Sequence, residues 1–247
     1  MTHKWNLDTS QWAEVLLNET TPEKVAHNLQ SGVWLPWTTT LLERSDDSKT
    51  VLDLGSGRGE NSAVLALNGR TPTLLEWSEA NLAFSERLFD TMGLDGRFCQ
   101  ADMTRPLPFR DESFDMVFSC GVFEYFDSAT IDAILKEAFR IARKRVIIMV
   151  PNAASIAYRI GMWHMKLTGK WQWGGEVPSY SLTRNFARAG SIRTIEFSVG
   201  AQHSLNFLTM PTAGTIRKAI TRLCRLTDSP RPTLLRQGYL LITVGEK

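Results

Sequence analysis

The segment 51–60 constrains the fold more than any other part of the chain, because it joins an apolar strand, an acid and three alternating glycines. Thr50–Leu54 predicts a short buried strand. The glycines after it allow a sharp turn and bring bare backbone close to a ligand. Glu60–Leu67 then predicts a helix whose free N-terminal N–H groups favour an anionic group. The segment therefore predicts a nucleotide-type cofactor site.

The glycine spacing separates this loop from the dinucleotide-binding loop. A dinucleotide-binding fold would carry Gly-x-Gly-x-x-Gly, whereas this chain has Gly55, Gly57 and Gly59, with Asp53 two residues before the first of them. This pattern resembles motif I of the class I S-adenosylmethionine-dependent methyltransferases, of the small-molecule, type 11/25-like kind. The resemblance implies S-adenosylmethionine as cofactor, S-adenosylhomocysteine as product, and cofactor contacts from Asp53, Ser56 and the three glycines.

Two later turns extend the resemblance. Residues 72–76 predict a second strand that ends in Glu76, about 20 residues after the loop glycines. A carboxylate accepts two hydrogen bonds at once, which suits the vicinal hydroxyls of a ribose. The resemblance implies that Trp77 packs against adenine, and that Asp102, with Met103 beside it, accepts a hydrogen bond from the adenine amino group.

The remaining strands complete the predicted fold. Further strands are predicted near Arg97–Gln100 and at 114–119, 145–150, 191–199 and 238–244. The resemblance implies that the backbone at Ser119 and Cys120 lies beside the methionine part of the cofactor. It also implies an α/β, Rossmann-like sheet of seven strands flanked by helices, six strands being parallel and the seventh antiparallel at the sheet edge.

We expect a single methyltransferase domain over residues 1–247. It would comprise an N-terminal helical lid at 1–44, a cofactor-binding core at 45–152, and insertions at 153–180 and 200–237. The last insertion lies between the final two strands and predicts a basic amphipathic helix. Such a helix can bind a membrane, RNA or an acidic partner. Its lack of interleaved aromatics favours packing on its own domain.

Aromatic residues are concentrated on both sides of the core, since seven of the eight tryptophans lie outside it. Large rings can enclose a planar or apolar acceptor, or lie against a cationic one. The alternative is that they only anchor the added helices. The candidate substrate-binding residues are Trp34, Trp37, Tyr125, Trp171, Trp173 and Tyr180.

A general base is needed only when the acceptor must lose a proton. Glu124 and Tyr125 follow the fourth strand and, with His164, are the candidate catalytic residues; Glu176 and His203 are further candidates. Burial would raise the pKa of Glu124 and make it a competent base. Glu124 is the one acid expected at this rim, so the paired glutamates of arginine methyltransferases are not predicted.

Composition and missing motifs exclude several function classes. The 28 basic and 26 acidic residues give a net charge of +2, which indicates no global preference for nucleic acid or anionic membranes. The fourth strand lacks the Asn/Asp-Pro-Pro-aromatic motif, so nucleic-acid amines are not expected substrates. Neither a metal-ligand cluster nor an apolar run of about 20 residues is present. Three cysteines and no signal-peptide core predict reduced thiols and a cytoplasmic protein.

These observations together predict metal-independent methyl transfer to an oxygen, nitrogen or sulfur atom of a small, aromatic or apolar metabolite. The partner is then a small molecule, and the sequence carries no signal for an oligomeric state. One alternative is an RNA- or protein-modifying methyltransferase that docks its substrate through residues 200–237. Another is a catalytically silent subunit that binds the cofactor and serves a partner protein.

Overall fold

The computed structural model describes residues 20–208, 214, 218 and 236–247. Seven strands in these residues form one sheet, in the order β3-β2-β1-β4-β5-β7-β6. The strands are β1 (Thr50–Leu54), β2 (Thr71–Glu76), β3 (Arg97–Gln100), β4 (Phe114–Cys120), β5 (Ala142–Pro151), β6 (Arg193–Val199) and β7 (Leu240–Glu246).

The predicted strand directions are confirmed, but the predicted place of the last strand is wrong. Strands β1 to β5 pair in parallel, and β7 pairs antiparallel with both β5 and β6. Strand β7 therefore lies inside the sheet, and β6 forms the edge. Burial gives the reason, because β7 is buried along all but its last residue whereas β6 begins at the exposed Arg193. The more continuously apolar strand takes the position with two neighbours.

The helices of the described residues cover both faces of the sheet. They are α1 (Pro22–Gln30), α2 (Pro36–Arg44), α3 (Glu60–Leu67), α4 (Glu79–Met92), α5 (Ser128–Ile141), α6 (Ile156–Leu167), α7 (Thr183–Arg188) and α8 (Ala201–Ser204). Short 3₁₀ turns lie at Phe123–Tyr125 and Leu205–Phe207. Helix α4 shows how local chemistry sets the ends: Ser78 accepts a hydrogen bond from the N–H of Asn81, and Gly93 terminates the helix at φ 63°.

Two apolar layers hold the parallel sheet between the helices. Along β1, Leu52 and Leu54 pack into the layer that includes α5, whereas Val51 packs into the layer that includes Trp37 of α2. This alternation is the period of two expected of a strand whose two faces are both buried. Because the central strands are parallel, their carboxyl ends lie together at one rim of the sheet.

Parts of the predicted additions lie outside the described residues. The lid is described from residue 20 onward, and of the segment 200–237 only 200–208, 214, 218, 236 and 237 are described. Helix α1 packs mainly on α4, and α2 packs on α3. Within the described part of the chain, no helix has the length and apolar character needed to cross a membrane.

Candidate active site

A cavity of about 340 Å³ opens at the carboxyl ends of β1, β2, β4 and β5. Open α/β sheets bind ligands at this rim, where the strand order reverses. One part, here called the glycine-loop end, is lined by residues that include Gly55, Ser56, Gly57, Glu76, Trp77, Asn81, Asp102 and Met103. The other part, called the acid–aromatic end, is lined by Trp37, Glu124, Tyr125, Trp173, Glu176 and Tyr239.

The loop after β1 can be built only with glycine at its tightest point. Gly55 has φ 74°, and a Cβ there would lie 2.8 Å from Val122 Cγ2 and 2.9 Å from Met103 Cε. Gly59 has φ 75°, and its Cβ would lie 2.8 Å from Leu74 Cδ2. Both glycines therefore meet a steric and a backbone requirement. Gly59 lies behind the cavity lining, where it precedes α3.

Glu76, at the end of β2, holds the glycine loop through its carboxylate. The N–H of Gly57 donates to Oε2 at 2.8 Å, and the N–H of Ser78 donates to Oε1 at 2.9 Å. Burial raises the pKa of Glu76, while these backbone hydrogen bonds partly oppose the rise. Glu76 also lines the cavity, and a carboxylate oxygen can accept more than one hydrogen bond.

Asp53 and Ser119 lie behind the lining and brace the elements that form it. The Ser62 hydroxyl of α3 donates to Asp53 Oδ2 at 2.8 Å. Ser119 of β4 donates to the Leu54 carbonyl at 2.6 Å. Burial raises the pKa of Asp53 to about 7; the Ser62 hydrogen bond opposes this rise and the charge of Glu76 adds to it. Asp53 therefore positions α3 relative to β1.

The raised pKa of Asp53 predicts that Asp53→Asn increases stability at alkaline pH. The unfolded carboxyl ionises near 3.8 and the folded one near 7, so the folded state binds more protons in between and stability falls as pH rises through that window. Asparagine does not ionise, so the variant avoids this loss of about 2 to 4 kcal/mol in the free energy of unfolding. Urea unfolding of both proteins at pH 5 and pH 8 measures this change in the free energy of unfolding. If the variant and the wild type differed by the same free energy at both pH values, the raised pKa of Asp53 would be contradicted.

Two buried polar atoms at the glycine-loop end lack a partner within the described residues. These atoms are Ser56 Oγ and Asn81 Oδ1. Nearby, Asp102 Oδ1 accepts from the N–H and the hydroxyl of Thr104 at 2.8 and 2.7 Å. Buried polar atoms are normally paired, so orphan atoms in a cavity wall indicate a polar ligand. With the bare glycine loop and the Glu76 carboxylate, this donor and acceptor set fits the adenosine part of S-adenosylmethionine.

The acid–aromatic end contains two buried glutamates, which corrects the prediction of a single acid at this rim. Glu124 lies in the 3₁₀ turn after β4, and Glu176 lies in the segment between α6 and α7; their exposures are 4% and 5%. The N–H of Val177 donates to the Glu124 carbonyl at 3.1 Å and joins the two segments. Tyr158 Oη donates to Glu176 Oε1, and Glu124 Oε2 has no partner among the described residues.

The pKa values of both glutamates are raised. Burial is the larger cause for Glu124, whose pKa rises well above its usual range, and the charge of Glu176 adds to it. Burial raises the pKa of Glu176 to about 8. Burial also raises the pKa of Tyr125 and of Tyr239, with both glutamates adding to the effect. The glutamate pair therefore holds protons at neutral pH when no cation is close to it.

Aromatic side chains from three segments surround these acids. Trp37 of α2 and Tyr239 have ring centroids 5.8 Å apart, and the Tyr125 hydroxyl donates to the Trp173 carbonyl at 3.3 Å. Tyr239 is one of the lining residues that the sequence analysis did not predict. A usable signal was present, because an antiparallel strand begins at the rim where its parallel neighbours end, and Leu240 pairs with Pro151. The residue before β7 must therefore lie at the cavity.

Besides Asp53, Gly59 and Ser119, four more predicted site residues lie outside the cavity lining. Trp34 donates from Nε1 to the Leu29 carbonyl at 3.0 Å, and Trp171 donates to the Gly174 carbonyl at 3.1 Å. Tyr180 is 64% exposed, and His164 lies half-buried on α6. Cys120 does line the cavity, and burial raises the pKa of its thiol, so it stays protonated.

The described residues contain no group of three or more His, Cys, Asp or Glu side chains that could hold a metal ion.

Comparison with known proteins gives a family match and a shared fold. The model of the methyltransferase-domain family matches residues 51–145, and no curated protein matches the chain. A Thermotoga maritima protein, described as an S-adenosylmethionine-dependent methyltransferase and possible histamine N-methyltransferase, has a TM-score of 0.58 at 16% identity, covering 86% of this chain and 89% of its own.

Two further solved structures extend the likeness over almost the whole chain. A Haloferax volcanii complex between a methyltransferase activator and a methyltransferase has a TM-score of 0.62 at 19% identity, covering 95% and 96% of the two chains. Magnesium protoporphyrin IX methyltransferase of Synechocystis, solved with S-adenosylhomocysteine, has a TM-score of 0.58 at 13% identity, covering 96% and 93%. Residues 51–145 therefore match the methyltransferase-domain family model, and the chain has the fold of the solved class I S-adenosylmethionine-dependent methyltransferases.

Proposed function

We propose that this chain transfers the methyl group of S-adenosylmethionine to a small-molecule acceptor that enters the acid–aromatic end. One observation carries the proposal: a single cavity joins the glycine loop held by Glu76 to the buried carboxyl of Glu124. When bound, the cofactor supplies a methyl group on a positively charged sulfur, which a nucleophile displaces in line. The solved Synechocystis methyltransferase with its demethylated product supports this choice of cofactor.

The residues of the chain have separate roles in this proposal. Glu76 binds the ribose hydroxyls, Asp102 and Trp77 bind adenine, and the bare backbone of the loop lies along the rest of the cofactor. Asp53 and Ser119 position these elements from behind. The rings of the acid–aromatic end exclude water from the reacting atoms, which strengthens the electrostatic interactions there.

A small acceptor fits the cavity better than a polymer does. The two carboxyls of the acid–aromatic end are almost completely buried. A side chain or base that is still attached to a polymer would need the covering segments to open. Methylation of RNA or a protein substrate, with a small-molecule pool inactive, would favour the polymer instead. A protein that binds the cofactor and stays inactive until a partner is added would favour the role of a dependent subunit.

Calorimetric titration with S-adenosylmethionine and S-adenosylhomocysteine tests the cofactor assignment first. We expect both ligands to bind with a Kd on the order of 1–100 μM. Incubation with S-adenosylmethionine and pooled metabolites, followed by detection of S-adenosylhomocysteine, then identifies the acceptor. Absence of binding by either ligand would refute the proposed function.

Trp37→Phe should reduce acceptor use without weakening cofactor binding. Trp37 is buried and lines the acid–aromatic end, so a smaller ring loses contact area and hydrogen-bonding capacity there. We expect kcat/KM for the identified acceptor to fall about tenfold while S-adenosylhomocysteine affinity changes less than about twofold. Trp34→Phe is the matched control, because Trp34 lies near Trp37 in sequence but outside the lining. Equal losses in both variants would indicate a purely structural role.

A further inference from the structure

Glu124 and Glu176 form a buried acid pair that the fold alone does not explain. The two residues are 52 positions apart in the chain, yet both line the same cavity. A buried ionisable group is costly unless it is paired, so a structural acid is normally placed beside a base. Among the described residues, no ion pair with a lysine or arginine involves either acid.

The two acids differ in how their oxygens are satisfied. Glu176 already accepts a hydrogen bond from the Tyr158 hydroxyl. Glu124 Oε2 is buried, lies in a residue that lines the cavity, and has no partner in the described residues. An orphan oxygen beside a second acid is best satisfied by a ligand that brings hydrogen-bond donors. Glu124 is therefore the acid that a ligand meets directly.

Charge and ring chemistry together select the ligand. A carboxylate ligand would be repelled whenever either acid ionised, and a neutral alcohol or thiol would bring no counter-charge that allows an acid to ionise. An ammonium group supplies up to three donors and a positive charge, which the described residues do not place beside the pair. The rings of Trp37, Trp173 and Tyr239 line the same end and favour a cation and the hydrocarbon attached to it.

We infer that the acid–aromatic end binds a protonated primary or secondary amine, that Glu124 accepts its proton, and that the amine nitrogen is the methyl acceptor. This inference rests on the proposed function and narrows its substrate class to amines. Glu176 acts as a positioning residue, since Tyr158 holds its carboxyl in place and it offers the ammonium group a second acceptor beside Glu124.

The step balances without any further reactant. The ammonium nitrogen gives one proton to the Glu124 carboxylate, which becomes a neutral carboxylic acid. The freed lone pair then forms the N–C bond as the C–S bond breaks, with the electron pair remaining on sulfur in S-adenosylhomocysteine. The positive charge passes from sulfur to nitrogen, and the product leaves as a methylated ammonium ion.

The raised pKa values of the pair agree with this role. Without a cation, burial raises the pKa of both carboxyls, and the charge of Glu176 raises the pKa of Glu124 further. A bound ammonium group favours the ionised form, so the Glu124 carboxyl releases its proton to solvent when the amine enters. A carboxyl that ionises only beside its substrate avoids an uncompensated buried charge in the ligand-free protein.

The test compares ligands that share a hydrocarbon part and differ in the head group, which is a cationic amine in one and a neutral alcohol in the other. Two probe pairs are 2-phenylethylamine with 2-phenylethanol, and hexylamine with 1-hexanol. Their binding is measured by tryptophan fluorescence on the full chain, with and without S-adenosylhomocysteine. We expect each amine to bind at least about tenfold more tightly than its alcohol. We expect the Glu124→Gln, Glu176→Gln double variant to lose this preference. Equal binding of amine and alcohol, or a preference that survives in the double variant, would overturn the inference.

Methyl transfer to the amine probes separates the two glutamates. Glu124→Gln should lower N-methyl product formation by about 100-fold, whereas Glu176→Gln should mainly raise KM. Glutamine has nearly the same volume as a protonated glutamic acid, so both variants are expected to fold. Glu196→Gln is the control, because Glu196 is equally buried but bonds Arg236 and Thr243 outside the cavity. A loss in this control as large as in Glu124→Gln would contradict the role of Glu124.

The outcomes distinguish this inference from the proposed function. S-adenosylhomocysteine binding without amine preference refutes the amine inference and leaves methyl transfer to another acceptor. Amine preference without S-adenosylhomocysteine binding refutes methyl transfer, and with it the role of Glu124 in that reaction.

Discussion

Glu76→Ala is expected to reduce the affinity for S-adenosylhomocysteine by about 100-fold or more. The Glu76 carboxylate lies at the end of β2, accepts hydrogen bonds from Gly57 and Ser78, and lines the cavity. In the proposed binding mode the substitution removes a charge-assisted bond to each ribose hydroxyl, and two such bonds are together worth about 3 kcal/mol. It also releases the loop backbone, which weakens the site before the ligand arrives. Isothermal titration calorimetry measures the loss.

Two variants make this measurement specific. Glu76→Gln keeps the size and one acceptor oxygen, so its loss should lie between those of wild type and Glu76→Ala. Glu79→Ala removes an exposed acid three positions later, in the first turn of α4, and should change the affinity less than about twofold. Wild-type affinity in Glu76→Ala would refute the ribose-binding role, whatever the two other variants show.

Gly55→Ala is expected to lower both stability and cofactor affinity. The Cβ would have to displace the stiff Val122 side chain as well as the end of Met103, and alanine would have to adopt φ 74°. We expect a loss of about 2 to 3 kcal/mol in the free energy of unfolding. Because the loop and Val122 both line the cavity, we also expect an affinity loss of about tenfold or more. Urea unfolding and calorimetry measure the two effects.

Gly93→Ala is the matched control for this prediction. Gly93 ends α4 at φ 63°, and a Cβ there would meet no atom within 4 Å. Alanine at this position therefore suffers the backbone strain alone, which costs about 1 kcal/mol, and should leave cofactor affinity unchanged. Equal stability losses in Gly55→Ala and Gly93→Ala would show that the close contacts at Gly55 relax without cost.

Local sequence predicted the strands and turns that form the glycine-loop end. The bounds of β1, β3 and α3 are those expected from the sequence, and the capping residues of α4 act as predicted. These features succeed because each depends on residues within a few positions of one another. A buried strand, a glycine turn and a helix N-terminus are short-range requirements that the order of residues expresses directly.

The position of β7 and the composition of the acid–aromatic end depend on segments that are distant in the sequence, so local sequence did not predict them. Placing β7 inside the sheet depends on comparing the burial of two strands separated by about 40 residues, which no local window contains. Glu176 reaches Glu124 only because the backbone at Val177 bonds the turn after β4. Trp34 and Trp171 show the converse, since both satisfy their indole N–H locally and lie outside the lining.

By itself, the sequence determined the α/β fold, the glycine loop and the acid that follows β2, because these are set by contiguous residues with defined backbone and hydrogen-bond requirements. Only the tertiary structure decided that Glu124 and Glu176 share a buried cavity with Trp37 and Tyr239. The physical reason is that burial and the approach of two like charges depend on which distant segments meet, and the same groups exposed singly would have ordinary pKa values.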